Sequence, residues 1–302
     1  MSAARAQHFA AGVRGEPCDV ASNCPLLPLR ARVVCRRGQY GNAFLNSIAP
    51  VASRVQYQVI PGNHEAADDF ASYRARFWMH GGTDSIYHSF SLGNVHVAMI
   101  SSEVYFYVGA HSMAMLPEQF AWLEKDLASV DRSVHPWTVL MLHRPFYCDK
   151  NDDNDDCHHA TSLVRDGILG KYAMEPLLMK YGVDIVVGAH EHAYSRTYPM
   201  YSFNSSIKGV TNETDGTTVY ANPRMPVHII SGAAGCPENQ DPWQPAQAAW
   251  DAARFNVYGY GYMSFPNAST ATWSFVNDTT GTIVDSVVFK QDSHGPFPMP
   301  SL

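Results

Sequence analysis

Val186-Val187-Gly188-Ala189-His190-Glu191-His192-Ala193-Tyr194-Ser195-Arg196 is the stretch around which the whole chain is organised. It continues the run Val183-Asp184-Ile185-Val186-Val187, which is short, rich in β-branched residues and stopped by glycine. Such a run reads as a buried strand. The strand delivers two histidines at its carboxyl end, where α/β sheets place their chemistry. His190 and His192 are two positions apart. A backbone turn between them lets both imidazoles face one site and hold one metal or two adjacent metals.

Two other stretches finish in the same way. Tyr57-Gln58-Val59-Ile60-Pro61-Gly62-Asn63-His64-Glu65 reads as a strand running into a glycine turn, with an amide oxygen and an imidazole at its tip. Thr138-Val139-Leu140-Met141-Leu142-His143-Arg144-Pro145 reads as a third apolar strand, ending in a histidine. Three strands that each end in a ligand-type residue point to one metal centre.

At these residues the chain resembles the purple acid phosphatases of the calcineurin-like metallophosphoesterase superfamily, in their animal and protist type. The late motifs of that family stand in order: Gly62-Asn63-His64-Glu65, the strand ending at His143, and Ala189-His190-Glu191-His192. Ser102-Glu103-Val104-Tyr105-Phe106, Trp122 to Leu127, Pro226 to Gly232 and Tyr258-Gly259-Tyr260 extend the likeness from about Gly41 to about Lys290. The resemblance implies an α/β fold, the metallophosphoesterase four-layer sandwich of two mixed β-sheets flanked by helices, N-terminally incomplete. It implies hydrolysis of phosphate monoesters through a metal-bound hydroxide, by a binuclear centre of iron with zinc, manganese or a second iron. Carried over residue by residue, Asn63, His143 and His190 are ligands of the divalent metal and His192 is a ligand of the ferric one. His64 is the catalytic group at the leaving group or phosphate, and His159 a candidate phosphate contact above the pocket.

The family also carries two earlier glycine-aspartate segments, the second with a tyrosine ligand. Here the matching region, Arg36-Arg37-Gly38-Gln39-Tyr40-Gly41-Asn42-Ala43-Phe44, holds no acidic residue. Asp19 lacks both a preceding strand and an adjacent glycine, and Tyr40 reads as packing. A ferric ion needs anionic oxygen donors, and a bridging carboxylate helps to hold two cations together against their repulsion. One divalent metal bound weakly, or none, is therefore expected. Two alternatives follow: a catalytically impaired phosphatase-like protein that keeps a phosphate-binding pocket, and a phosphodiesterase.

Residues 1–38 are expected to be an atypical segment outside the mature fold, with the start of the gene misassigned. Six arginines stand there against Glu16 and Asp19, although the chain as a whole has a formal charge of -7. Residues 39–292 are expected to form the catalytic domain and residues 293–302 a tail. The 302 residues are 46% hydrophobic, enough for a substantial core. The acidic balance, with no basic stripe, argues against nucleic acid as a partner, so a small-molecule phosphomonoester is the expected one. No apolar run is long enough to span a membrane. Sequons at Asn204, Asn212, Asn267 and Asn277 favour a glycosylated, secreted or lysosomal protein.

The rest of the chain reads as elements around this site. Asp69 to Met79 and Gly167 to Tyr181 have helical spacing, the second with Leu169, Tyr172, Leu177 and Leu178 facing the core. Pro117 is expected to open a helix through Trp122 and Leu127. Ser85 to Phe90 and Val95 to Ser101 read as strands around the Gly93-Asn94 turn. His228 alternates with Val227 and Ile229, as a core histidine would. Tyr262 to Phe265, Thr272 to Val276 and Ile283 to Lys290 complete a second sheet. Cys148 and Cys157 bracket an acidic loop that lacks the glycine and glutamate of a calcium loop. The resemblance implies that these cysteines pair.

Overall fold

Alternating and continuous apolar runs become the strands of two mixed sheets in the computed structural model, which describes residues 39–107, 109–150, 156–235 and 239–299. Expectations for residues 1–38 and for the middle of the acidic loop lie outside those residues. The helices are α1 (Gln39–Ala52), α2 (Ala71–Arg76), α3 (Ala110–Ser129), α4 (Leu163–Asp166) and α5 (Met174–Tyr181). The strands are β1 (His88–Leu92), β2 (Val95–Met99), β3 (Trp137–Met141), β4 (Ile185–Gly188), β5 (Tyr194–Thr197), β6 (Met200–Tyr201), β7 (Asn204–Ser205), β8 (Val210–Asn212), β9 (Thr218–Ala221), β10 (Val227–Ser231), β11 (Asp251–Phe255), β12 (Gly259–Asn267), β13 (Thr270–Asn277) and β14 (Ile283–Lys290).

Seven strands form one sheet in the order β1-β2-β3-β4-β10-β5-β11, and five form the other in the order β12-β13-β14-β9-β8. The central strands β2, β3, β4 and β10 run parallel. They are buried on both faces, which accounts for their unbroken apolar sequences. In β3, Leu140 faces the helices while Val139 and Met141 face the second sheet; in β4, Val186 and the pair Ile185 and Val187 divide in the same way. The helix-side core takes Leu123 and Leu127 from α3 and Leu177 and Leu178 from α5. Trp273, Phe275 and Phe289 enter the core between the sheets. The α/β sandwich read from the sequence is thus the fold of the chain.

Four local expectations are corrected. Tyr57 to Pro61 is not a strand: no strand among the described residues pairs with it, and the Val59 carbonyl instead accepts the Tyr73 hydroxyl at 3.2 Å. The helix expected from Asp69 starts at Ala71, because Asp68, Asp69 and Phe70 have positive φ and cannot form its first turn. Pro117 lies inside α3 instead of opening it. Burial of Met115 and Leu116 on the same apolar face offsets the hydrogen bond that proline cannot make. Residues 167–173 are a tight loop rather than the first turns of α5. Gly167, Leu169, Gly170 and Tyr172 all have positive φ there, and Leu169, expected in the core, is 96% exposed. Leu177 and Leu178 are buried as expected, and Tyr172 is partly so.

Two buried ionisable groups on neighbouring strands, Arg196 and Asp251, bear on stability. Arg196 on β5 donates to Asp285 on β14 through Nε (2.7 Å) and Nη2 (2.8 Å), so the pair bridges the two sheets. The guanidinium, with the Tyr194 hydroxyl, holds the Asp285 carboxyl below the usual range despite burial. On β11, burial and the neighbouring Asp149 charge push Asp251 up to about 8, against Arg254.

Asp285→Ala is expected to lower unfolding free energy by about 3–5 kcal/mol in urea titrations, because it leaves Arg196 buried without its counterion. A loss below about 1 kcal/mol would show that the pair is dispensable. Asp251 is protonated in the fold at pH values where it is ionised in the unfolded chain. Its stabilising contribution is full below the unfolded value and is lost as pH rises through about 8. Asp251→Asn should therefore gain stability relative to the wild type as unfolding is measured at pH 4, then 6, then 8. A constant difference between the two proteins would contradict this.

Candidate metal centre

The parallel pairing of β3 with β4 continues past the strand ends and brings their terminal residues together. Leu142 N–H donates to the Val187 carbonyl at 3.0 Å, and Ala189 N–H donates to the His143 carbonyl at 2.8 Å. After Gly188 the chain turns sharply. Glu191 N–H reaches the Ala189 carbonyl, Ala193 N–H reaches the Glu191 carbonyl, and His190 takes a φ of 57°. This is the turn that the spacing of His190 and His192 required.

Asn63 arrives from the other side on a short 3-10 turn, Asn63–Ala66. Glu65 fixes that turn by accepting the Gly62 N–H at 2.8 Å. Gly62 must be glycine for a packing reason: a Cβ there would lie 2.9 Å from the His143 ring. The resulting cluster is tight. His143 Nε2 is 2.9 Å from Asn63 Oδ1 and 2.9 Å from His190 Nδ1, with the two imidazoles edge to face.

Burial, followed by the neighbouring His190, Arg144, His64 and His192, pushes the His143 pKa well below that of an ordinary histidine. A neutral ring keeps a lone pair for a cation. His64 is exposed on the same 3-10 turn as Asn63. His192 is half-buried; its backbone N–H donates to Asp241, and its Nδ1 lies 3.9 Å from Asp241 Oδ1. His159 lies in another part of the chain, exposed and with its ring tilted against that of His158 at 4.1 Å between ring centres. It directly follows the segment closed by the Cys148–Cys157 disulfide, the pairing implied by the resemblance.

Beneath the cluster lies an ion pair to which sequence reasoning gave no role. Glu103 is fully buried and accepts Arg144 Nε at 3.1 Å on each oxygen, while the guanidinium lies 4.2 Å above the Phe106 ring. Ser102 Oγ accepts the Arg144 N–H at 2.8 Å and donates to Glu103 at 3.0 Å. Arg144 directly follows His143, so this pair sets the exit of β3. The available signal was two charged residues inside otherwise apolar stretches. Asp241 carried no such signal, since it lies in an irregular loop.

Residues 34–194 match the family profile described as calcineurin-like phosphoesterase, and residues 225–286 match that of the iron/zinc purple acid phosphatase-like protein C. The human protein named acid phosphatase type 7 is 41% identical over 256 residues, covering 82% of this chain and 56% of that protein. This chain belongs to the calcineurin-like phosphoesterases, on the purple acid phosphatase branch. The zebrafish protein of the same name is 38% identical over 271 residues, covering 86% of this chain and 59% of its own length. The chain therefore spans somewhat over half the length of these animal acid phosphatase relatives. The structure of the purple acid phosphatase PPD1 from yellow lupin seeds shares the fold, with a TM-score of 0.68 at 21% identity, over 86% of this chain and 46% of that one.

A purple acid phosphatase family member implies a binuclear metal centre. Asn63, His143 and His190 suit one divalent cation: three convergent donors, the central one held neutral. Among the described residues, the cluster of three metal-ligating side chains is Cys148, Cys157 and Glu191, and its two sulfurs are already joined.

Because burial disfavours its charged form, the His143 ring is expected to give the NMR signature of neutral imidazole at pH 6.5 in the metal-stripped chain. An ordinary histidine is about half protonated at that pH. Half-titration of His143 at pH 6.5 would contradict the assignment.

Proposed function

We propose that the chain carries the phosphate-ester site of a metal-dependent acid phosphatase, acting on small phosphate monoesters. The observation that carries this reading is the convergence of Asn63 Oδ1, His143 Nε2 and His190 Nδ1 at the ends of adjacent elements. These three would hold a divalent cation, and His192 would serve the neighbouring cation position. A cation bound there supplies a Lewis acid for the phosphoryl oxygens and lowers the pKa of water.

The chain's own residues do the remaining work. His64, exposed on the turn that presents Asn63, is placed to give a proton or hydrogen bond to the leaving group. His159, exposed beside the disulfide, offers a further contact to phosphate. The Glu103–Arg144 pair holds the exit of β3 in place. We assign residues 39–292 to the catalytic domain, residues 1–38 to a segment outside it and residues 293–302 to a tail. The Cys148–Cys157 disulfide and the exposed sequons at Asn204, Asn212 and Asn267 support a secreted or lysosomal setting.

A second reading is favoured by the site's donor chemistry. The donors grouped around His143 are an amide and imidazoles, with no carboxylate among them. Such a site binds phosphate through a weakly held cation and turns over poorly.

Elemental analysis of the purified chain after dialysis against Mn2+ or Zn2+, with assays on an aryl monophosphate and its bis-aryl diester, tests both readings. Monoester hydrolysis should exceed diester hydrolysis, and His64→Ala should lower kcat about 10²–10⁴-fold while the cation remains. His143→Ala should remove one cation. Cation content unchanged in His143→Ala would overturn the site. Cation retained without turnover would establish the second reading.

A further inference from the structure

The short segment that carries His158 and His159 is held at both ends, and one of its holders is a buried cation with no role so far. At the near end Cys157 is bonded to Cys148, whose N–H donates to the Cys157 carbonyl at 3.4 Å. At the far end stands Arg165 on α4, only 1% exposed. Its Nη2 donates to the His159 carbonyl at 3.1 Å and to the Ala160 carbonyl at 2.8 Å, and its Nη1 donates to the Phe146 carbonyl at 3.1 Å. Phe146 lies just beyond His143 on the exit of β3, so one guanidinium ties the His159 main chain to the segment that leaves the metal centre.

The guanidinium is itself fixed on several sides. Asp166 Oδ2 accepts Nε at 3.2 Å and Nη2 at 2.9 Å, and the same oxygen accepts the Ser162 N–H at 2.6 Å. The Tyr147 and Phe203 ring centres lie 5.0 Å and 4.5 Å from the guanidinium carbon. A planar fork with five N–H donors can address three carbonyls and a carboxylate in one geometry, which an ammonium on a flexible stem cannot. Burying a cation is costly unless its donors are satisfied, and here the donors go to the backbone on either side of the site. The His159 imidazole is left exposed at the end of this mounting.

Resting on the reading of His159 as a phosphate contact, we propose that Arg165 is a positioning residue for phosphate binding, fixing the His159 main chain so that the exposed imidazole meets the phosphate in one orientation. A contact made equally to bound phosphate and to the transition state lowers KM and leaves kcat unchanged, so the loss of Arg165 belongs in affinity rather than in the chemical step. A role confined to packing would instead lower stability with no link to His159.

Calorimetric titration of the Mn2+-loaded full chain with inorganic phosphate, over a double-mutant cycle of Arg165→Lys and His159→Ala, separates these roles. Each single variant should weaken phosphate binding about tenfold, the scale of one charge-assisted hydrogen bond, and the double variant should bind no more weakly than His159→Ala alone. On an aryl monophosphate, Arg165→Lys should raise KM with little change in kcat, and its Mn2+ content should match the wild type. Asp166→Ala, at a side chain 40% exposed, should move phosphate affinity in the same direction and carries the cycle if thermal melts show Arg165→Lys unfolded. Wild-type phosphate affinity in Arg165→Lys, or losses that add in the double variant, would overturn the proposal and leave the His159 contact standing. Wild-type affinity in His159→Ala, or no phosphate binding by the wild type, would overturn both.

Discussion

The buried ion pair between Arg196 and Asp285 is the constraint on which the rest depends. Arg196 is removed from water, the Asp285 side chain is 9% exposed, and each oxygen of the carboxylate receives one guanidinium N–H. The same carboxylate accepts the Tyr194 hydroxyl, which in turn accepts Trp273 Nε1–H at 2.9 Å. Tyr194 stacks on Phe275 at 4.0 Å between centroids. One polar knot therefore fixes the register between β5 of one sheet and β13 and β14 of the other. Its place in the chain matters more than its energy. The loop from Ala189 to Ala193 is strung between β4 and β5, so anchoring β5 leaves His190 and His192 little freedom. A rigid scaffold thereby compensates for a backbone conformation, at His190, that an L-residue rarely adopts.

The site is assembled on the same principle of neutral donors above compensated charges. His143 is buried and pushed toward its neutral form by burial and by four basic neighbours. Glu103 below it is raised by its own burial, against Arg144 and His190.

The elements that sequence made legible are those whose physics is local. Runs such as Val183 to Val187 and Thr138 to Leu142 announced buried parallel strands, and His228 showed its two-faced setting by alternating with Val227 and Ile229. Its ring does lie among Phe146 and Tyr147, facing the helix side. The grouping of Asn63, His143 and His190 followed from three strand-end motifs, although one of those segments, Tyr57 to Pro61, is held without strand pairing. What the sequence hid was non-local. Leu169 has helical spacing, but the positive φ of its neighbours is set by the approach of the Lys171 carbonyl to Gly167, where a Cβ would lie 2.1 Å away. Asp241 meets His192 only because Lys150 and Asn256 hold its backbone, a relation that no window of neighbouring residues contains.

Burial has tuned this chain in two opposite directions with respect to pH. His228 is pushed down to about 3, so its contribution is present above the ordinary histidine value and is lost as pH falls toward 3. His143 and Asp285, also lowered, act in the same sense within their own ranges. Glu65, Glu103, Glu175 and Asp251 are raised, mainly by desolvation, and their contributions fade as pH rises. Between the ordinary carboxylate and the ordinary histidine values the two groups change in opposite directions. A chain with only the histidines would weaken in acid, and one with only the carboxyls would weaken toward neutrality. Holding both flattens the dependence over the mildly acidic range, where neutral His143 still offers its lone pair.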